Sequence, residues 1–104
     1  MAWTIVGKLE EIPQLRARVV ETPKGPIAIF RAADDSLFAV ADSCPHKQGP
    51  LSEGIMHGHQ VTCPLHNWVI DLGTGQAAAP DIGRTACFAV KVEQGLVLLQ
   101  KDAD

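Results

Sequence analysis

Cys44-Pro-His46 and Cys63-Pro-Leu-His66 each set a thiol, a proline and an imidazole within a few residues of one another. Together the two pairs use two of the chain's three cysteines and two of its four histidines. A backbone that brings both pairs to one place is confined to folds that present two loops side by side. Glycine and proline crowd the same stretch, from Pro45, Gly49 and Pro50 through Gly54, Gly58 and Pro64 to Gly73, Gly75 and Pro80. Strands between residues 42 and 80 must therefore be very short. Loops on a rigid support are where chemistry is usually carried.

The flanks supply that support. Short apolar runs recur between turn signals: RARVVE (16–21) and PIAIFRA (26–32) around TPKG, then SLFAVA (36–41) after Asp34-Asp35. TACFAVKV (85–92) alternates, with Ala86, Phe88, Val90 and Val92 on one face and Cys87 on the other, and EQG leads into a last run, LVLLQ (96–100). Regular short strands divided by Gly, Pro and Asp predict an all-β fold, a sandwich or barrel. GKLEEIPQL (7–15) offers one helical turn, limited by Pro13. With 104 residues there is room for one domain. The expected organisation is a β base from residues 1–41 and 81–104 carrying a loop-rich subdomain from residues 42–80.

A formal net charge of -3 argues against nucleic acid or an anionic membrane as partner, since both reward a basic patch. Aromatic residues make up 5% of the chain, too few for a base-stacking platform. Apolar runs such as LFAVA (37–41) are far too short to span a bilayer. The opening MAWTIVGKLEEIPQ carries Lys8, Glu10 and Glu11 and does not read as a secretory leader. An odd number of cysteines suits a reducing cytoplasm, where thiolates serve as ligands.

Three readings of the Cys/His pairs compete. Two cysteines and two histidines can hold one zinc ion, but zinc motifs usually pair like with like, and here each loop carries one of each. A lone cysteine or histidine is most often an ordinary core thiol or loop imidazole. That reading strains to cover two such pairs, each with proline after the cysteine. A two-metal centre, in which each loop gives one thiolate to one ion and one imidazole to the other, accounts for the mixed pairs directly.

This C-x-H…C-x-x-H arrangement resembles the Rieske [2Fe–2S] signature, whose ligand set is two cysteines on one iron and two histidines on the other. The resemblance implies a Rieske-type cluster in which Cys44 and Cys63 bind the buried iron and His46 and His66 the outer iron. It also implies an electron carrier with no iron position open to substrate. CPHKQGPLSEG (44–54), VTCPLHNWVIDLGTGQA (61–77) and CFAVKVEQGLVLL (87–99) look like the small subunit of assimilatory NAD(P)H nitrite reductase. The implied partner is then a large flavin/sirohaem subunit, and the chain is an oxidoreductase only as part of that assembly. The alternative is a free Rieske ferredoxin serving an oxygenase and a ferredoxin reductase. Ferredoxins of that kind more often carry His-Gly where this chain has His66-Asn67.

High-potential Rieske proteins of respiratory complexes carry a disulfide between the loops and hydroxyl donors beside the second. Gly49 and Leu65 stand at the matching cysteine positions, and Trp68 and Ile70 at the Ser and Tyr positions. The resemblance therefore implies a potential at the low end of the family's span. His57 and His59, around Gly58, read as turn residues between the ligand loops, and Cys87 as a half-buried thiol. Pro45, Pro50, Leu51, Pro64, Leu65 and Trp68, with Lys47 as the rim's charge, are expected to form an apolar docking tip.

Overall fold

The computed structural model describes residues 3–23, 25–44, 49–64, 67–78 and 83–103. Among these residues, two antiparallel sheets make up the fold. The larger has six strands: β1 (Thr4–Lys8), β2 (Arg16–Thr22), β3 (Gly25–Arg31), β4 (Leu37–Ala41), β8 (Cys87–Glu93) and β9 (Leu96–Ala103), in the order β1-β9-β8-β4-β3-β2. The smaller has three: β5 (Ile55–His57), β6 (Gln60–Thr62) and β7 (Val69–Asp71), in sequence order. The helical turn expected near the start is a 3-10 turn at Leu9–Glu11, and a second covers Leu51–Glu53.

Turn chemistry fixes the registers. Gln94 and Gly95, at φ 52 and 78, form the two-residue turn between β8 and β9. Both central residues of such a turn need positive φ if its twist is to match the strands. Asp35, at φ 70, sits in the turn that the Asp34-Asp35 pair predicts between β3 and β4.

Ile27, Ala28, Ile29 and Phe30 of β3 are all fully buried, which marks a strand covered on both faces. Alternation sends Ala28 and Phe30 to one core and Ile27 and Ile29 to another. β4 divides the same way, with Val40 on the first side and Ala39 on the second. These two strands are a wall. On one side lies a core closed by Ile12 and by Val97 and Leu99 of β9; on the other lies a core that includes Leu51, Val61, Ile70 and both Cys44 and Cys63. Along β8, Cys87 packs on the first-named cysteine side and Phe88 and Val90 on the other, as the alternation of that segment predicts.

Among the described residues, no helix is long and apolar enough to cross a membrane.

Candidate metal centre

Both cysteines of the paired motifs stand where a short strand gives way to a loop. Cys63 directly follows β6, and Cys44 lies three residues beyond the end of β4. The two loops close in the same manner. Cys44 donates its N–H to the carbonyl of Gly49 at 2.8 Å, and Cys63 donates its N–H to the carbonyl of Trp68 at 2.6 Å. Each bond reaches five residues ahead and encloses the motif's histidine in sequence. His46 and His66 themselves, with Pro45, Lys47, Gln48 and Leu65, lie outside the described residues.

Cys44 and Cys63 both have 0% exposure and share one core. The three cysteines form no disulfide. Two wholly buried sulfurs at the mouths of two matching loops are the donor set that the inner iron of a two-iron, two-sulfide cluster requires. Cys87, by contrast, is half-buried on β8.

The supports of the two loops differ. The second rests on the hairpin of β6 and β7, where Thr62 pairs with Val69 and Val61 with Ile70. Asn67 lies inside it at φ 59, a left-handed conformation that glycine and asparagine tolerate best. The His-Asn versus His-Gly distinction therefore follows from a backbone requirement that both residues meet. Downstream, the Asp71 side chain accepts from the N–H groups of Gly73 at 2.8 Å and Thr74 at 3.3 Å. Gly75 sits at φ +79, and a Cβ there would meet the carbonyl of Thr85 and the sulfur of Cys87. DLGTG thus owes its residues to one tight turn.

The first loop leans on a side chain. Asp42, just past β4, receives the N–H of Ser52 on one carboxylate oxygen and the Ser52 hydroxyl on the other, both at 2.7 Å. Its own N–H donates to the carbonyl of Pro26 at 3.0 Å. The 3-10 turn at Leu51–Glu53 has no side-chain cap from its preceding residue, Pro50, so Asp42 supplies one from ten residues upstream. Sequence reasoning missed both Asp42 and Ser52, because no local motif links positions so far apart.

Leu51 requires a correction. The sequence places it on the docking rim, but it has 0% exposure, since the 3-10 turn directs its side chain into the core shared with the cysteines. Of the other described rim residues, Pro64 is exposed, while Pro50 and Trp68 are half-buried. Trp68 packs against the cysteine core, and Ile70 is fully buried within it.

His57 and His59 border the turn between β5 and β6 and serve structural contacts. His57 pairs with the Thr62 hydroxyl at 2.8 Å. His59 meets the Asp34 carboxylate at 3.0 Å and tilts against Phe38 with ring centroids 4.8 Å apart. Asp34 is held below the usual carboxylate range, first by the Ser36 backbone N–H and then by His59. This pair ties the small sheet to the β3–β4 turn of the large one.

The model of the Rieske [2Fe-2S] domain matches residues 2–89. The chain is 39% identical over 84 residues to 4beta-methylsterol monooxygenase of Methylococcus capsulatus, covering 70% of this chain but 22% of that relative. It thus spans about a fifth of that protein's length. It is 33% identical over 96 residues to the anthranilate 1,2-dioxygenase ferredoxin subunit of Burkholderia cepacia, covering 91% of this chain and 88% of the relative. Among solved structures it matches a chain in the complex of reduced oxygenase and oxidised ferredoxin of carbazole 1,9a-dioxygenase, with TM-score 0.88, 27% identity and 98% and 95% coverage. A protein from Mycobacterium tuberculosis assigned as an NADH-dependent nitrite reductase small subunit matches with TM-score 0.86 over 99% and 97% of the two chains, at 22% identity, a likeness of fold alone. With two loops that close alike on two buried sulfurs, and a family match over most of its length, the chain belongs to the Rieske [2Fe-2S] domain family and takes that family's cluster.

Proposed function

We propose that this chain is a Rieske ferredoxin that delivers single electrons to an oxygenase, with Cys44, His46, Cys63 and His66 as the cluster ligands. The observation that carries the reading is the 33% identity with a dioxygenase ferredoxin subunit over 91% of this chain and 88% of that one. When bound, the cluster supplies reversible one-electron chemistry near neutral charge, because two imidazoles replace two thiolates. The protein's part is to hold the two cysteine sulfurs in a buried, apolar core and to keep the histidine-bearing loops on a rigid base. In the same reading, residues 42–80 form the cluster-binding part and residues 1–41 and 81–104 the base.

A second reading is the small subunit of NAD(P)H nitrite reductase. It is favoured by VTCPLHNWVIDLGTGQA (61–77), which looks like that subunit's second ligand loop.

The holoprotein, reduced by NADH through a ferredoxin reductase, is expected to sustain turnover of a ring-hydroxylating oxygenase that has been stripped of its own ferredoxin. It is expected to leave nitrite consumption by a large flavin/sirohaem subunit unchanged. Copurification with that large subunit and a dependence of nitrite reduction on this chain would transfer the assignment to the second reading.

A further inference from the structure

We infer that Asp42 is a positioning residue for the metal centre, holding the two ends of the first ligand loop together through Ser52. The inference rests on the cluster assignment and concerns how the chain prepares for the cluster. Asp42 is bound at both ends. Its N–H is fixed to Pro26 at the start of β3, and its carboxylate takes the N–H and hydroxyl of Ser52, both at 2.7 Å. The segment so closed, from residue 42 to residue 52, carries in sequence Cys44 and His46 and includes the bond from Cys44 to Gly49.

An equivalent clasp is not needed by the second loop, which grows out of the β6–β7 hairpin and inherits its shape from backbone pairing. The first loop joins β4 to a three-residue 3-10 turn, and neither end is paired with the other as a strand. Leu51 anchors that turn by burial, which is non-directional, and the turn's far end is held by β5 through the Ile55–Thr62 pair. Two bonds to one carboxylate fix its near end in direction as well. Bonds to a charged acceptor are also stronger than neutral ones. Residues 42 and 52 thus set the separation between the ends of the loop before any iron arrives.

The test uses the holoprotein and three variants, Asp42→Ala, Asp42→Asn and Ser52→Ala. Loss of the visible absorption is followed in excess iron chelator, and the electron paramagnetic resonance spectrum of the reduced protein is recorded alongside. Asp42→Ala is expected to lose its cluster about tenfold faster or more, the range of one or two bonds to a charged acceptor. Its resonance line positions are expected to shift, a change that lowered stability alone would not produce. Ser52→Ala, which keeps the backbone bond, should fall between Asp42→Ala and wild type, and Asp42→Asn should recover part of the loss. If Asp42→Ala cannot be produced with its cluster, the other two variants carry the test. Wild-type loss rates and unshifted spectra in Ser52→Ala and Asp42→Asn would overturn the assignment. So would equal acceleration by a substitution of matched stability in the other core, such as Val97→Ala, accompanied by the same spectral shift.

Discussion

The N–H of Cys63 reaches the carbonyl of Trp68 at 2.6 Å, and Asn67, just inside that bond, takes φ 59. Asn67→Gly should accordingly be close to neutral in stability and cluster content. Asn67→Val, whose branched side chain resists this conformation, should cost about 1–2 kcal/mol. Thermal melts of the holoproteins, with iron analysis, check the pair; equal losses for Gly and Val would show that the side chain of Asn67, not its backbone, does the work.

Purified protein should be red-brown and hold about two irons and two acid-labile sulfides per chain, the content of a [2Fe–2S] centre. Cys44→Ser, Cys63→Ser, His46→Ala and His66→Ala should each remove or severely deplete the colour, whereas Cys87→Ser should not. Because the buried thiols sit in the core itself, metal removal should also lower the melting temperature. Stoichiometric zinc without visible absorption would contradict the assignment.

The reduction potential should lie near the low Rieske limit, on the order of -150 mV. Ile70, fully buried beside the cysteines, brings hydrocarbon where high-potential relatives offer a hydroxyl, and Gly49 brings no sulfur for a second bridge. A redox titration monitored by electron paramagnetic resonance measures it. A midpoint above about +100 mV would show that backbone donors outweigh the missing hydroxyl groups.

Leu51→Ala should destabilise the protein by about 2–5 kcal/mol, the usual cost of truncating a fully buried leucine. Leu51→Glu should prevent folding, since it would place an unpaired charge in the cysteine core. Denaturant melts check the first and soluble yield the second. Docking at the ligand tip is better tested at Pro64, which is exposed; Pro64→Glu should keep the colour and weaken electron delivery.

Acid should loosen the tie between the sheets. Asp34 has a folded pKa below its ordinary value of 3.8, because of the Ser36 N–H first and His59 next. The unfolded chain therefore binds the proton more readily, and the contribution is present above the ordinary value and lost as pH falls through the folded one. Asp35, lowered by Gln14 first and then by Arg31, acts in the same direction. Melting temperatures between about pH 5 and pH 3 should fall less steeply in Asp34→Asn than in wild type. Identical slopes would mean that Asp34 contributes nothing to acid sensitivity.

The sequence carries much of this legibly and hides the rest for physical reasons. Strands such as PIAIFRA and ACFAVKV announce themselves because burial on one or both faces demands apolar residues at a fixed period. The loop cysteines are legible because few other roles call for thiol and imidazole in paired short motifs. Leu51 is misleading in sequence, since a leucine beside a ligand loop reads the same whether its turn faces inward or outward. Asp42 and Ser52 are silent, because a side-chain clasp across ten residues follows no period. Asn67 is legible only once its φ is known.

The wall of β3 and β4 gives the ligand loops an unusual foundation. Each strand contributes alternate side chains to two cores, so the backbone behind Cys44 cannot shift without disturbing hydrophobic packing on both sides at once. Electron transfer is fastest when the donor's surroundings need little rearrangement between its two oxidation states. Ala28 and Phe30 pressing from one face, with Ile27 and Ile29 braced against the other, make the floor of the site stiff. A stiff floor of this kind, sharing its core with Cys44 and Cys63, keeps the reorganisation energy of the carrier low.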